Sequence, residues 1–269
     1  MRCTSVCVDL RGFSKFYQEL EHANENERAD RLLAIRQFFE ICEKVTYDLL
    51  NGKKCDILLT GDGAIIIFRC QDHHYIHGYM FSIILRKRLK EFFKSDNIRR
   101  KLSFGIGVAS GELRQIEFGT KLLNTNYMST AINRSARLEK LTKVFSGSDI
   151  LISHTTMWQV FSTLSSENLL ALKCKNYEAL MDAAKQAEKQ KNISLSKQYW
   201  DTMQQINETY FVRFVSNYSV EGSANSDVIY RFSRILSETI GGFIIPLINE
   251  YFSQESISVI KKELNVARH

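Results

Sequence analysis

At 269 residues the chain is long enough for one large domain, or a core domain with an appendage, around a sizeable buried core. Its 44% hydrophobic and 25% charged residues exclude a disordered polymer, and its apolar stretches are too short and too interrupted for a membrane span of about 18 residues. A net charge of +6 gives a moderate general pull on polyanionic substrates.

Cysteines at positions 3, 7, 42, 55, 70 and 174 form neither a CxxC pair nor a framework spacing, and several sit within apolar runs. Buried free thiols in a reducing compartment are expected. No basic-then-apolar leader opens the chain, so a cytoplasmic protein without membrane association is expected.

The predicted elements begin with a strand from Thr4 to Asp9, which runs through Gly12-Phe13 into a long helical stretch from Ser14 to Leu50. Leu32, Ile35, Phe38, Phe39, Cys42 and Val45 fall there at a helical period, and Asn51-Gly52 is a stop. Cys55 to Thr60 and Ala64 to Phe68 read as a hairpin around Gly61-Asp62-Gly63. A helix from about His74 to Lys94 carries the basic run Arg86-Lys87-Arg88-Leu89-Lys90, interleaved with apolar residues as on a solvated amphipathic face. His73, His74 and His77 cluster at its start without the cysteines or the HExxH pattern that a zinc site needs.

Leu102 to Leu113 reads as a strand whose glycines mark something packed closely on its backbone, with a further hairpin strand near Leu113 to Phe118. A helix from Met128 to Lys143, a strand from Asp149 to Ile152 and a helix from about Thr155 follow. Beyond residue 165 the pattern weakens. Asn176 to Ile206 is helix-prone, Tyr210 to Val215 alternates as a strand able to rejoin the sheet, and the stretch from Ser226 reads as helical. Ile235 to Phe252, broken by Gly241, Gly242 and Pro246, reads as a buried or dimer-packing helix pair. Helices alternating with antiparallel strands argue an α+β fold with helices on one face of the sheet.

Two aspartates stand out against this background. Asp9 ends an apolar run just before Gly12, and Asp62 lies between two glycines at a hairpin tip. Each alone reads first as turn punctuation. Brought together, two carboxylates at a sheet edge would hold Mg²⁺ against phosphates. Asn133 and Arg137, four apart on the helix from Met128, share a face and could orient a sugar and neutralise a phosphate, although Arg134, Arg137 and Lys140 also suit a solvated face with Ile132, Ala136 and Leu138 inward.

The order Asp-x-x-Gly-Phe, Gly-Asp hairpin, Phe-Gly-Ile-Gly-Val-Ala-x-Gly strand and Asn-x-x-x-Arg helix resembles the class III nucleotidyl cyclases over roughly residues 4 to 160. The resemblance implies a ferredoxin-like palm in residues 1–165, a mostly helical C-terminal part in residues 166–269, and a head-to-tail homodimer with active sites at the interface. It implies that Asp9 and Asp62 bind two Mg²⁺ or Mn²⁺ ions per site, and that the backbone of Leu10, Arg11, Gly12 and Phe13 cradles the triphosphate. Asn133 would orient the ribose and Arg137 would stabilise the transition state, both supplied by the other subunit.

Two departures qualify the match. The position that reads the purine edge in the family, usually Lys or Glu, is Leu58, and its partner position falls at Asn126, in a predicted loop. An aliphatic residue there would leave a purine edge unpaired. The family's terminal Lys-Gly-Lys-Gly segment is also absent, leaving Lys173 and Lys175 as candidates for the terminal phosphates. As a compact cyclase-like chain that lacks the purine-reading pair and carries a helical C-terminal extension, it resembles the pyrimidine cyclases of bacterial Pycsar anti-phage systems, which implies UTP or CTP as substrate, with UTP favoured, and a separate effector that responds to the cyclic product.

A purine cyclase with a divergent pocket, a non-catalytic nucleotide-binding module and a nucleic-acid-binding protein using Arg86 to Lys101 stay open; a nucleic-acid partner is not expected. The Gly-Gly-Asp/Glu-Glu-Phe signature of diguanylate cyclases is missing.

Overall fold

The computed structural model describes the chain apart from residues 51–54, 70–71, 119–123, 145–148, 164–178, 181, 210–211, 220–225, 233–244 and 265–269. Strand β1 (Arg2–Arg11) lies in the middle of a mixed sheet, antiparallel to β3 (Gly63–Phe68) on one side and to β4 (Ser103–Phe118) on the other. Outside β3 runs β2 (Cys55–Leu59). Helices α1 (Phe13–Gln18) and α2 (Glu25–Leu50) link β1 to β2, and α3 (His74–Lys94) links β3 to β4. The order β2-β3-β1-β4 with these crossovers is a ferredoxin-like β-α-β-β-α-β unit.

The sheet continues past β4. The far half of β4 turns back as β5 (Asn124–Ser129), while its near half pairs parallel with β6 (Ile150–Ser153). Strands β8 (Ser226–Phe232) and β7 (Val212–Ser219) extend the sheet beyond β6. Helix α4 (Thr130–Leu141) follows β5, and α5 (His154–Ser162) follows β6. Helices α6 (Ile193–Thr209), α7 (Ile245–Tyr251) and α8 (Gln254–Glu263) complete the labelled elements.

Strand alternation sends β1 side chains to two very different surroundings. Val6, Val8 and Leu10 join Ile66, Phe68, Ile106 and Val108 in the main core, closed by Phe38, Cys42 and Val45 of α2 and by Ile76, Tyr79, Phe81 and Ile84 of α3. Cys3, Ser5, Cys7, Asp9 and Arg11 point the other way, toward α4. That contact is polar and close: Ser5 Oγ lies 2.8 Å from Ser135 Oγ, and a Cβ added at Gly107 would overlap the Ser135 carbonyl. Glycine in β4 therefore lets the α4 backbone sit directly on the strand.

Several elements depart from the sequence expectation. The helical stretch from Ser14 is interrupted after Gln18 and resumes at Glu25. Arg31 of α2 reaches back to donate to the Phe16 carbonyl and pair with Glu19 at 2.7 Å, so it satisfies groups left by the break. Strand β4 runs unbroken through Leu113, and its hairpin partner is β5, not a strand near Leu113 to Phe118. Ser226–Phe232 is a strand, not a helix; the run Val228-Ile229-Tyr230 has the β-branched and aromatic content that suits a sheet position beside β6.

The basic run of α3 is also not a free solvated face. Arg86 and Lys90 pair with Asp149 at 3.1 and 2.6 Å, and Arg88 pairs with Asp48 of α2 and Glu263 of α8 at 2.8 and 3.0 Å. These cations pin α3 to its neighbours, and Ser256 of α8 adds a hydrogen bond to the Leu49 carbonyl of α2.

Cys3, Cys7 and Cys42 are buried free thiols and Cys55 is half-buried, while Cys70 and Cys174 lie outside the described residues. His74 is buried with Nδ1 2.8 Å from Thr4 Oγ1. No helix among the described residues is long and apolar enough to cross a membrane.

Candidate active site

Register brings the two aspartates together. Asp9 pairs opposite Gly63, and the Leu10 N–H donates to the Asp62 carbonyl at 3.0 Å, so the β2–β3 tip is fastened beside the end of β1. Burial raises the Asp9 carboxyl pKa above its ordinary value, and the Asp62 charge raises it further. The Lys143 ammonium, 3.6 Å from Asp9 Oδ2, acts in the opposite direction. A Cβ added at Gly63 would lie 2.5 Å from the Val8 carbonyl oxygen and 3.1 Å from Asp9 Oδ1, so glycine keeps the room beside that carboxylate clear.

Two mutually repelling carboxylates with open space beside them suit a hard divalent cation. Among the described residues no group of three or more His, Cys, Asp or Glu is placed to hold a metal, so water, backbone oxygen or phosphate would complete the coordination.

The turn after β1 is built around Gly12, whose φ of 82° lies in the left-handed region. The Leu10 to Phe13 segment is only partly available as a phosphate cradle. The Leu10 amide is used by Asp62, Leu10 itself is buried in the core, and the Arg11 side chain turns under α4 to donate to Thr142 Oγ1. Phe13 is half-buried, and Gly12 borders a cleft with Lys15, Phe16, Glu19 and Lys101.

Helix α4 starts at Ser129, whose Oγ accepts from the Ala131 and Ile132 amides. Its buried positions are Ala131, Ser135, Leu138 and Glu139, while Ile132 and Ala136 are only half-buried. Asn133 and Arg137 are exposed, one turn apart. Among the described residues neither has a hydrogen bond or ion pair with Asp9 or Asp62 of its own chain.

Leu58 is half-buried on β2 opposite Ile65, and both pack with Tyr127 and Ile132 on a small cluster around Ile67 and Leu113. Asn126 lies in β5 opposite Ile116, not in a loop. Lys173 and Lys175 lie outside the described residues.

Three features near these positions escaped the sequence reading. Tyr127 donates its hydroxyl to Asp56 at 2.9 Å, and Arg69 donates to the other Asp56 oxygen at 2.7 Å, giving Leu58 polar neighbours. Glu139 is 3% exposed, and its Oε1 shares the space over Gly105 with Thr142 Oγ1 and Arg11 Nη2. Burial, then the Asp9 charge, push its carboxyl up to about 7. Lys143 is the third. A helical stripe through Ala131, Ser135, Leu138 and Thr142, set against the glycine-rich strand, was the available signal for the last two.

No family model matches the sequence, and no curated protein matches it. Solved structures do. The adenylyl cyclase CyaB from P. aeruginosa superposes with a TM-score of 0.57 at 15% identity, over 88% of this chain and 95% of that one. A bacterial light-regulated adenylyl cyclase gives 0.56 at 12% identity, over 99% of this chain, which spans 57% of that longer protein. The guanylyl cyclase Cya2 gives 0.50 at 17% identity, over 88% and 94%. The fold is thus that of the class III nucleotidyl cyclase catalytic domain.

Proposed function

We propose that the protein is a nucleotide cyclase that converts a pyrimidine nucleoside triphosphate, UTP or CTP, to the 3′,5′-cyclic nucleotide and pyrophosphate. The observation that carries the proposal is the meeting of Asp9 and Asp62 where the β2–β3 tip lies beside the end of β1, on a fold shared with proteins named as adenylyl and guanylyl cyclases.

Asp9 and Asp62 would hold Mg²⁺ or Mn²⁺, two ions per site. Held there, the ions would supply a lowered pKa for the ribose 3′ hydroxyl and neutralising charge for the triphosphate. Asn133 orients the ribose through its amide, so that the 3′ oxygen lies in line with the α-phosphorus. Arg137 donates to the α-phosphate oxygens as charge grows there and pyrophosphate leaves. Asn133 and Arg137 face away from the strand that α4 covers, so they serve the aspartates of a second copy in a head-to-tail dimer. Leu59, Met128 and Val144, exposed by 67%, 63% and 61%, supply apolar surface on the hairpin, on β5 and just after α4 for such a contact.

Leu58 supports the pyrimidine substrate, since an aliphatic side chain offers a purine edge no partner. The Pycsar resemblance adds a separate effector that responds to the product. Incubation with all four nucleoside triphosphates and Mn²⁺ or Mg²⁺, read by mass spectrometry beside Asp62→Ala, tests the whole proposal. Cyclic UMP or cyclic CMP from the wild type alone is expected. Cyclic AMP or cyclic GMP as the main product overturns the pyrimidine assignment, and equal products from Asp62→Ala overturn the site.

A further inference from the structure

We propose that Lys143 is a phosphate-contacting residue of this site, held ready by Asp9 and exchanged onto the nucleotide when a divalent cation takes that carboxylate. The inference rests on the cyclase reading and extends it to a residue outside the recognised motifs.

The ammonium of Lys143 stands 3.6 Å from Asp9 Oδ2 on a half-exposed side chain. Its backbone is firmly placed: the Lys143 amide donates to the Lys140 carbonyl at 3.2 Å, and neighbouring Thr142 accepts from Arg11 and donates to the Glu139 carbonyl. A fixed root and a four-carbon stem give the charge a short, defined sweep over the aspartate.

A cation held by Asp9 would bring any phosphate oxygen that it binds close to the same carboxylate. The ammonium, 3.6 Å from Asp9 Oδ2, already stands beside that carboxylate. The cation and Lys143 therefore compete for Asp9 when no phosphate is present, and they cooperate once a phosphate is present, because the displaced ammonium has a new anion within reach. The two effects have opposite signs, which a purely structural lysine would not produce.

The test uses the full chain, with Mn²⁺ and inorganic triphosphate as probes, so that it does not depend on turnover or on the base. Mn²⁺ binding is followed by electron paramagnetic resonance, with and without triphosphate. Lys143→Met should bind Mn²⁺ alone as tightly as the wild type or a few-fold tighter, yet lose about tenfold or more in affinity for triphosphate in the presence of Mn²⁺. Lys143→Arg should restore most of the triphosphate affinity.

Unchanged triphosphate affinity in Lys143→Met overturns the inference, as does a parallel loss of Mn²⁺ and triphosphate binding. A wild-type protein that binds no Mn²⁺ overturns the two-aspartate site along with it. One that binds Mn²⁺ and cyclises a nucleotide while Lys143→Met remains indifferent overturns the role of Lys143 alone.

Discussion

The two faces of the central sheet are built by opposite means. Against α2 and α3 the strands present Val6, Val8, Leu10, Ile66 and Phe68, and the layer is held by apolar area removed from water, about 25 cal/mol for each Å². Against α4 they present Ser5, Asp9, Arg11 and the glycines of β4, and the helix is held by a hydroxyl pair and close backbone approach beside two small apolar clusters, around Ala131 and around Leu138. One face supplies stability, so damage there should appear in folding before it appears in chemistry. The other accepts repulsion and burial of charge in order to keep carboxylates together, so its losses should appear in chemistry before they appear in folding.

That contrast can be broken from either side. The largest effect is expected from Asp9→Asn: turnover should fall by about 10³-fold or more. Thermal unfolding of the metal-free protein should be unchanged or slightly later, because the repulsion with Asp62 is relieved; a marked loss of stability would contradict the contrast. On the opposite face, Phe38→Ala should cost about 3–5 kcal/mol in denaturant unfolding while the rate per folded molecule stays near wild type.

Gly107→Ala should combine both kinds of damage, since the new Cβ would push on the α4 backbone at Ser135 and Glu139. A stability loss of about 1–3 kcal/mol and a rate loss near 10²-fold are expected, because α4 carries Asn133 and Arg137. The smallest effect is a pH dependence. The Glu139 carboxyl pKa is raised to about 7, so the stability from its protonated form is fully present below the ordinary glutamate range and is lost as pH rises toward that value. In a chelator, the melting temperature should fall by about 5 °C over that window, and Glu139→Gln should flatten the fall.

Much of the palm was legible because its elements follow local rules. Apolar runs beside glycine turns marked β1 and β3, and α3 was marked from His74 to Lys94 with both ends as expected. The Gly-Asp tip and the Asn133/Arg137 face were legible as candidates because their spacing is local. The break between α1 and α2 was not, since it depends on Arg31 reaching back fifteen residues to the Phe16 carbonyl. Strand β8 was misread as helix because its assignment depends on pairing with β6, more than seventy residues earlier in the chain. The basic run of α3 was misread as a free face because its partners Asp48, Asp149 and Glu263 come from three distant segments.

Chain order, periodicity and turn chemistry were therefore enough for the kinds of elements, the hairpin tip and the residue types able to handle a phosphate. They could not say that Asp9 and Asp62 would meet beside the end of β1, that Glu139 would be buried over Gly105, or that Lys143 would stand on Asp9. Those facts depend on the register of β1 against β3 and on the seating of α4 upon β4. Register and seating arise from contacts between distant segments, whose energies depend on the whole packed arrangement, and no local pattern records them.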